Sequence, residues 1–193
     1  MSTQHDTVVL NRSALGFWLY LMTDCLLFAS LFATFAVLRN ATAGGPSGAD
    51  IFEMPLVLTE TFVLLMSSFT CGLILIAMKH KNVRGMIAAF IVTFILGGVF
   101  LFIELSEFAK LISEGYGWQR SAFLSAFFTL VATHGLHILV GLIWLSVLVA
   151  TLLKRGLTTK VIRQTTLFAL FWHFLDLVWI FIFTVVYLMG VAV

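Results

Sequence analysis

Five long apolar blocks leave this chain few ways to fold. They run over residues 14–38, 55–78, 85–105, 123–153 and 166–189. A helix needs roughly 20 apolar residues to cross a bilayer, and every block is long enough. Inside hydrocarbon the backbone must satisfy its own hydrogen bonds, so only helices and closed barrels can span it. A barrel would show short alternating segments separated by turns, and these blocks are unbroken. The sequence therefore predicts an all-α, polytopic membrane protein, a bundle of five transmembrane helices forming a single membrane domain over residues 1–193. The block at 123–153 is long enough to imply a tilted helix or one that continues beyond the lipid.

Composition agrees. Hydrophobic residues make up 61% of the 193 positions and charged residues only 10%, against about 25% charged in a soluble domain. The connecting segments are too short for a second domain. A net charge of +2, with no basic patch and no recognisable binding module, gives no reason to expect nucleic acid as a partner. Cys25 and Cys71 both fall in apolar blocks without metal-ligand spacing, and read as buried thiols packing as small hydrophobes. The first apolar block runs well past a signal-peptide core, so it reads as a span.

The loops differ in character. Residues 39–54 are rich in glycine and polar residues and read as irregular. Residues 79–84 form a short basic turn, and 154–163 are basic again. Residues 106–122 mix charges with aromatics, as an interfacial loop would. Arg12, Lys79, Lys81, Arg84, Lys154, Arg155, Lys160 and Arg163 gather on one side of the predicted bundle, and Arg39, Lys110 and Arg120 on the other. The positive-inside rule then predicts a cytoplasmic N-terminus and a periplasmic C-terminus.

Ionisable residues lie within or at the ends of these blocks: Asp24 in the first, Glu60 in the second, Glu104 and Glu107 at the end of the third, His134 and His137 in the fourth, His173 and Asp176 in the fifth. A charge at the bilayer centre costs about 2.5–3.5 kcal/mol on insertion scales, so these groups should face other helices or polar cavities. Residues three apart share a helix face. Each of the pairs Glu104/Glu107, His134/His137 and His173/Asp176 is therefore expected to present both members to one neighbour, with His173 buried beside Asp176. A rise of about 1.5 Å per residue suggests two polar layers. The inner one holds Asp24, His173 and Asp176; the outer one holds the glutamates, with His134 between. Glu107 and Lys110 read as an interfacial ion pair.

Three uses of such groups stay open from the residues alone. They could form a proton path, ligate a metal or haem, or hold helices together by hydrogen bonds. A lone histidine pair is a weak ligand signal. Trp18, Tyr20, Tyr116 and Trp118 suit interfacial belts, whereas Trp144, Trp172 and Trp179 should pack deeper, between helices or against lipid. No aromatic spacing marks a quinone pocket. Gly97 and Gly98 in the third block, and Gly135 and Gly141 in the fourth, would let helices approach closely.

Four stretches carry a family resemblance: LGFWLYLMTDCLLFASLFATF (15–35), LFIELSEFAKL (101–111), THGLHILVGLIWL (133–145) and FWHFLDLVWIFIFTVVYLMG (171–190). The sequence resembles subunit III of the haem–copper respiratory oxidases in its short five-span form, most closely that of cytochrome bo-type ubiquinol oxidases. The resemblance implies a subunit with no catalytic centre and no cofactor of its own. It places haem and copper in the partner subunit I, and implies contacts with subunits I and II and a subunit IV. It also implies phospholipid in a cleft between helices, and a place in the bacterial inner membrane. Through the family's motifs, Glu107, the pair His134 and His137, and His173 with Asp176 are carried over as structural or lipid-cleft residues. Asp24, Glu60, Glu104 and Trp179 join them as candidates from the reading of the spans. Asp24 stands where many relatives have glutamate. The shorter acid does not carry over that glutamate's reactivity toward carboxyl reagents or its part in proton supply. The alternatives are subunit III of a cytochrome c-type oxidase, a haem- or quinol-binding subunit, and an independent proton or solute transporter. A transporter would be expected to break its helices at a midplane site, and these spans read as continuous.

Overall fold

The computed structural model describes residues 2–191, with the side chains of 2–13 and of Asp50 set aside. Arg12, one of the basic residues used for orientation, lies outside the described side chains. The long helices are α1 (Ser2–Leu38), α3 (Met54–Lys79), α4 (Val83–Ser113), α5 (Ala122–Arg155) and α6 (Thr159–Ile182), and a single turn, α2 (Gly48–Ile51), lies in the first loop. After α6 the same rod continues as a π-helical turn over Phe183–Leu188 and a last α-turn, α7 (Met189–Val191). Five segments are long and apolar enough to cross a membrane: Ala14–Leu38, Met54–Lys79, Val83–Ser113, Ala122–Arg155 and Thr159–Val191.

Sequence-local chemistry sets the helix ends. Pro55 opens α3, where a missing N–H costs nothing. Asn82 caps α4 by accepting from Gly85 N at 3.1 Å, and Ser121 caps α5 by accepting from Leu124 N at 3.1 Å. Gly156 closes α5 with φ +66°, a left-handed conformation that a side chain would strain. Lys81, at φ +53°, makes the tight α3–α4 turn.

Two boundaries differ from the sequence reading. The third span does not stop at 105 but runs to Ser113. Residues 106–113 carry charges and read as loop, yet Phe100, Glu104, Glu107 and Leu111 form one buried stripe at helical spacing, and the helix continues to keep it inside. The fifth span begins at Thr159, not 166. Thr158 caps it, and Val161, Thr165, Phe168 and Trp172 continue its buried face. Lys160 and Arg163 thus sit on the first turns of a helix.

Helices α5 and α6 pack against each other at the centre. α3 and α4 form a tight antiparallel hairpin that lies on α6 and α5, and α1 lies on the opposite side against α5 and α6. The outward faces are apolar: Leu26, Phe62, Phe102 and Leu153 are all largely exposed. In water this would be a fault; against lipid it is the expected surface. Lipid tails give no hydrophobic drive between helices, so tight packing and interhelical hydrogen bonds must hold the bundle.

Trp172 shows how. Its indole is fully buried between α4 and α5. A Cβ added at Gly97 would stand 2.9 Å from the ring, and one at Gly141 only 2.7 Å. The two glycines therefore form the slot that admits the ring. Gly98, predicted with Gly97 to allow close approach, has nothing within 4 Å of its Cβ position and faces outward. On α3, Ser67 Oγ accepts from Trp172 Nε1 at 3.0 Å, and one turn and a half away Thr61 Oγ1 accepts from Trp179 Nε1 at 3.1 Å. The Thr70 and Thr93 hydroxyls meet at 2.8 Å between α3 and α4.

Candidate functional site: buried polar groups on the helix seams

The ionisable residues singled out from the sequence fall into three groups on different seams. The first joins α1 to α5. His137 Nδ1 donates to the Thr133 carbonyl at 2.7 Å, which turns Nε2 toward Asp24 Oδ2 at 3.7 Å. This is ion-pair range, longer than a hydrogen bond. Asp24 is buried, and the Tyr20 hydroxyl, one turn earlier on α1, lies beside its carboxyl. Phe28 packs tilted against the His137 ring, centroids 5.2 Å apart.

The second group is an acidic cluster. Glu60 of α3 and Glu104 and Glu107 of α4 are all buried and lie within electrostatic reach of one another. Glu104 sits directly over Gly135 of α5, whose absent side chain leaves room for it: a Cβ there would be 2.9 Å from Oε1. Both oxygens of Glu60 and of Glu104 lack a hydrogen-bond partner among the described residues. Tyr187, turned inward by the π-helical turn, brings its buried hydroxyl to Glu107. Such turns widen a helix locally and re-aim side chains. Tyr187 was not legible as part of this group, because the sequence period of a straight α-helix does not contain the shift.

The third group joins α3 to α6. Ser68 Oγ and His173 Nδ1 are hydrogen-bonded at 2.8 Å, and the same nitrogen stands 3.7 Å from Asp176 Oδ2. Asp176 is 9% exposed. Contrary to the sequence expectation, His173 is not buried; its side chain is 42% exposed. The i,i+3 spacing puts the two on one side of α6, but that side straddles the edge of the α3 contact. Asp176 falls inside it and His173 at its rim.

His134 and His137 do share a neighbour: Phe28 of α1 lies 6.4 Å from the first ring and 5.2 Å from the second. Their polar surroundings differ. His134 is fully buried, with Trp179 of α6 at 5.4 Å and Phe100 of α4 at 5.9 Å, whereas His137 reaches Asp24. A separation of three residues turns a helix by about 300°, and that residual angle is enough to give the two rings different partners. One pairing is corrected. Lys110 does not pair with Glu107. It reaches Glu53 in the loop before α3, because Glu107 points into the bundle and Lys110 lies on the solvent side. Asp24 lies on the α1–α5 seam, and His173 with Asp176 on the α3–α6 seam.

Trp179 is buried at the centre of an aromatic set, with Phe100 at 4.7 Å, His134 at 5.4 Å and Tyr187 at 6.2 Å. No group of three or more His, Cys, Asp or Glu side chains converges as a metal-ligand set among the described residues. Cys25 is exposed, correcting the reading of both thiols as buried, and Cys71 is buried; both are free. Chemically, the three groups can link helices and hold protons.

The sequence model of the family described as cytochrome c oxidase subunit III matches residues 1–191. The chain is 58% identical to the cytochrome bo(3) ubiquinol oxidase subunit 3 of Pseudomonas aeruginosa over 93% of this chain and 86% of that one. It is 46% identical to the quinol oxidase subunit 3 of Bacillus subtilis, over 100% and 93% of the two chains. The cytochrome c oxidase subunit 3 of Bacillus sp. PS3 is also 46% identical, over 92% and 86%. With five apolar helices whose buried polar residues link one span to the next, and a family match running almost from end to end, the chain belongs to the cytochrome c oxidase subunit III family.

Proposed function

We propose that this protein is the non-catalytic subunit III of a terminal quinol oxidase complex in the bacterial inner membrane. The observation that carries this is the family match over residues 1–191, together with 58% identity to a bo(3)-type quinol oxidase subunit. The buried polar groups fit a helix-linking role, since they are spread over separate seams. Quinol oxidation, reduction of oxygen to water and proton pumping then belong to partner subunits that hold haem and copper, with subunit I the main contact and subunits II and IV in the same assembly. A cytochrome c-type oxidase is the second reading, favoured by the 46% identity to a cytochrome c oxidase subunit 3.

The chain acts as a single membrane domain with its N-terminus in the cytoplasm. Lys79, Lys81, Arg84, Lys154, Arg155 and Lys160 gather where α3 ends, α4 begins, α5 ends and α6 begins, which supports that orientation. Phospholipid binding has support in a groove of about 540 Å³ at the outer ends of α3 and α4. Phe52, Leu56 and Phe102 line it, and the Glu53–Lys110 ion pair and Glu114 lie on its polar side. An apolar trough with a charged mouth suits an acyl chain and its headgroup.

The test is affinity purification of the tagged chain from its own membranes in mild detergent. Haem-containing multi-span partners should accompany it, with turnover on ubiquinol. Turnover on reduced cytochrome c alone would select the second reading. Recovery of a colourless chain without partners would overturn both.

A further inference from the structure

The exposed hydroxyls along the spans are compatible with lipid. Thr23 donates to the Tyr20 carbonyl at 2.7 Å, Ser30 to Leu27 at 2.7 Å, Thr34 to Ser30 at 2.9 Å, Thr166 to Ile162 at 3.0 Å and Thr184 to Ile180 at 2.8 Å. Each is satisfied by its own helix and asks nothing of its surroundings. His173 is different. Its Nδ1 is taken by Ser68 at 2.8 Å, and Nε2 has no hydrogen bond to the described residues. Whereas His137 bonds back to a carbonyl of its own helix, the His173 ring spends Nδ1 on α3.

Position makes this more than a local detail. His173 lies fourteen residues into a 33-residue span, which is about 21 Å along the rod. That is too deep for a lipid headgroup. The surrounding surface is apolar: Leu65 and Phe69 on α3, and Leu177 and Phe181 on α6, are each at least half exposed. Behind it, Asp176 is 9% exposed and neither of its oxygens is hydrogen-bonded to the described residues. The result is an apolar face with a hydrogen-bonding centre at mid-depth. Acyl chains cannot satisfy that centre, whereas another helix with a polar side chain can. Intramembrane ionisable groups typically face protein or a water-filled cavity for this reason.

We infer that the face of α3 and α6 centred on His173 docks a transmembrane helix of a neighbouring oxidase subunit, one that presents a polar side chain opposite His173 Nε2 at mid-bilayer. This rests on the reading of the chain as an oxidase subunit. The partner helix would cover Leu65, Phe69, Leu177 and Phe181 with apolar residues and place one hydrogen-bonding group at their centre. Enclosing His173 in this way also completes the burial of Asp176, through the Ser68–His173–Asp176 connection.

The test uses the whole complex in its membrane. A photo-crosslinking phenylalanine analogue replaces Leu177 in one variant and Phe69 in another, with His173 intact. Illumination should join this chain to another oxidase subunit from both positions. In parallel, His173→Leu should reduce the amount of this chain retained after detergent washing several-fold, and His173→Gln should retain more than His173→Leu. If the complex is recovered intact but both positions yield only lipid adducts, or only dimers of this chain, the docking inference fails and the oxidase reading stands. Retention of His173→Leu at or above the unaltered level would also overturn it. An unaltered chain that purifies without partners would bring down the oxidase reading, and this inference with it.

Discussion

His137 Nε2 stands 3.7 Å from Asp24 Oδ2, and this is a polar side-chain link between α1 and the rest of the bundle. Among the described residues, α1 also holds on through ring contacts, including Phe28 on His137, Phe17 on Trp144 and Phe32 on Phe181. Among these, the Asp24–His137 link is the directional one. With Nδ1–H committed to Thr133, Nε2 can meet the carboxyl favourably when a proton lies between them.

A double-mutant cycle on Asp24→Ala and His137→Ala should give a coupling energy of about 0.6 kcal/mol, the mean for interhelical polar pairs in membranes, and no more than about 1.7 kcal/mol. Thermal unfolding of the purified complex in detergent measures it. A coupling near zero would mean that α1 is held by its aromatic contacts alone.

The Trp172 slot predicts an ordered series of glycine substitutions. Gly141→Ala should destabilise by about 1–3 kcal/mol, the usual cost of overpacking, because the added methyl meets a rigid ring at 2.7 Å. Trp172→Phe in the same chain should recover part of that loss. Gly135→Ala should cost less, since its neighbour is the movable end of Glu104. Gly98→Ala should be neutral or stabilising, as nothing lies within reach. Melting temperatures of the four variants would show the order; equal effects would refute the slot.

The Thr61–Trp179 hydrogen bond predicts an asymmetry. Thr61→Val keeps the shape but leaves the buried Trp179 Nε1 unpaired, a loss of about 1–3 kcal/mol. Thr59→Val, two residues away on the exposed side and bonded to its own helix, should change stability by less than about 0.5 kcal/mol. Denaturant or thermal titration of both variants checks this.

Glu104 is a different case. Neither oxygen has a hydrogen-bond partner among the described residues, and Glu60 and Glu107 crowd it. Glu104→Met fills the same space without polar atoms to satisfy. Replacing buried polar groups by apolar ones of similar volume is often neutral or stabilising, so the complex should assemble with unchanged or higher thermal stability. If instead oxidase turnover falls while stability holds, the acidic cluster serves the reaction and not the fold. Parallel melting and oxygen-consumption measurements separate the two.

The number of spans, their helical nature and the residues that carry the polar chemistry were legible in the sequence. Long apolar blocks can satisfy their backbones in lipid in few ways, and ionisable residues inside them are too costly to be incidental. What each polar residue meets was not legible. Spacing of three puts His134 and His137 on roughly one side of α5, yet tertiary packing sends one to Asp24 and walls the other in with Trp179 and Phe100. Spacing of three likewise pairs His173 with Asp176, and only the position of α3 decides that the acid is inside and the imidazole at the rim. The ends of the third and fifth spans lay beyond their apolar blocks because burial of Glu107, Leu111, Val161 and Thr165 extends each helix. The inward turn of Tyr187 depends on a π-helical shift. Hydropathy is summed along one segment and is therefore written in the sequence. The angle at which a helix meets its neighbours depends on all five segments together, so the pairing of these side chains was settled only in the assembled bundle.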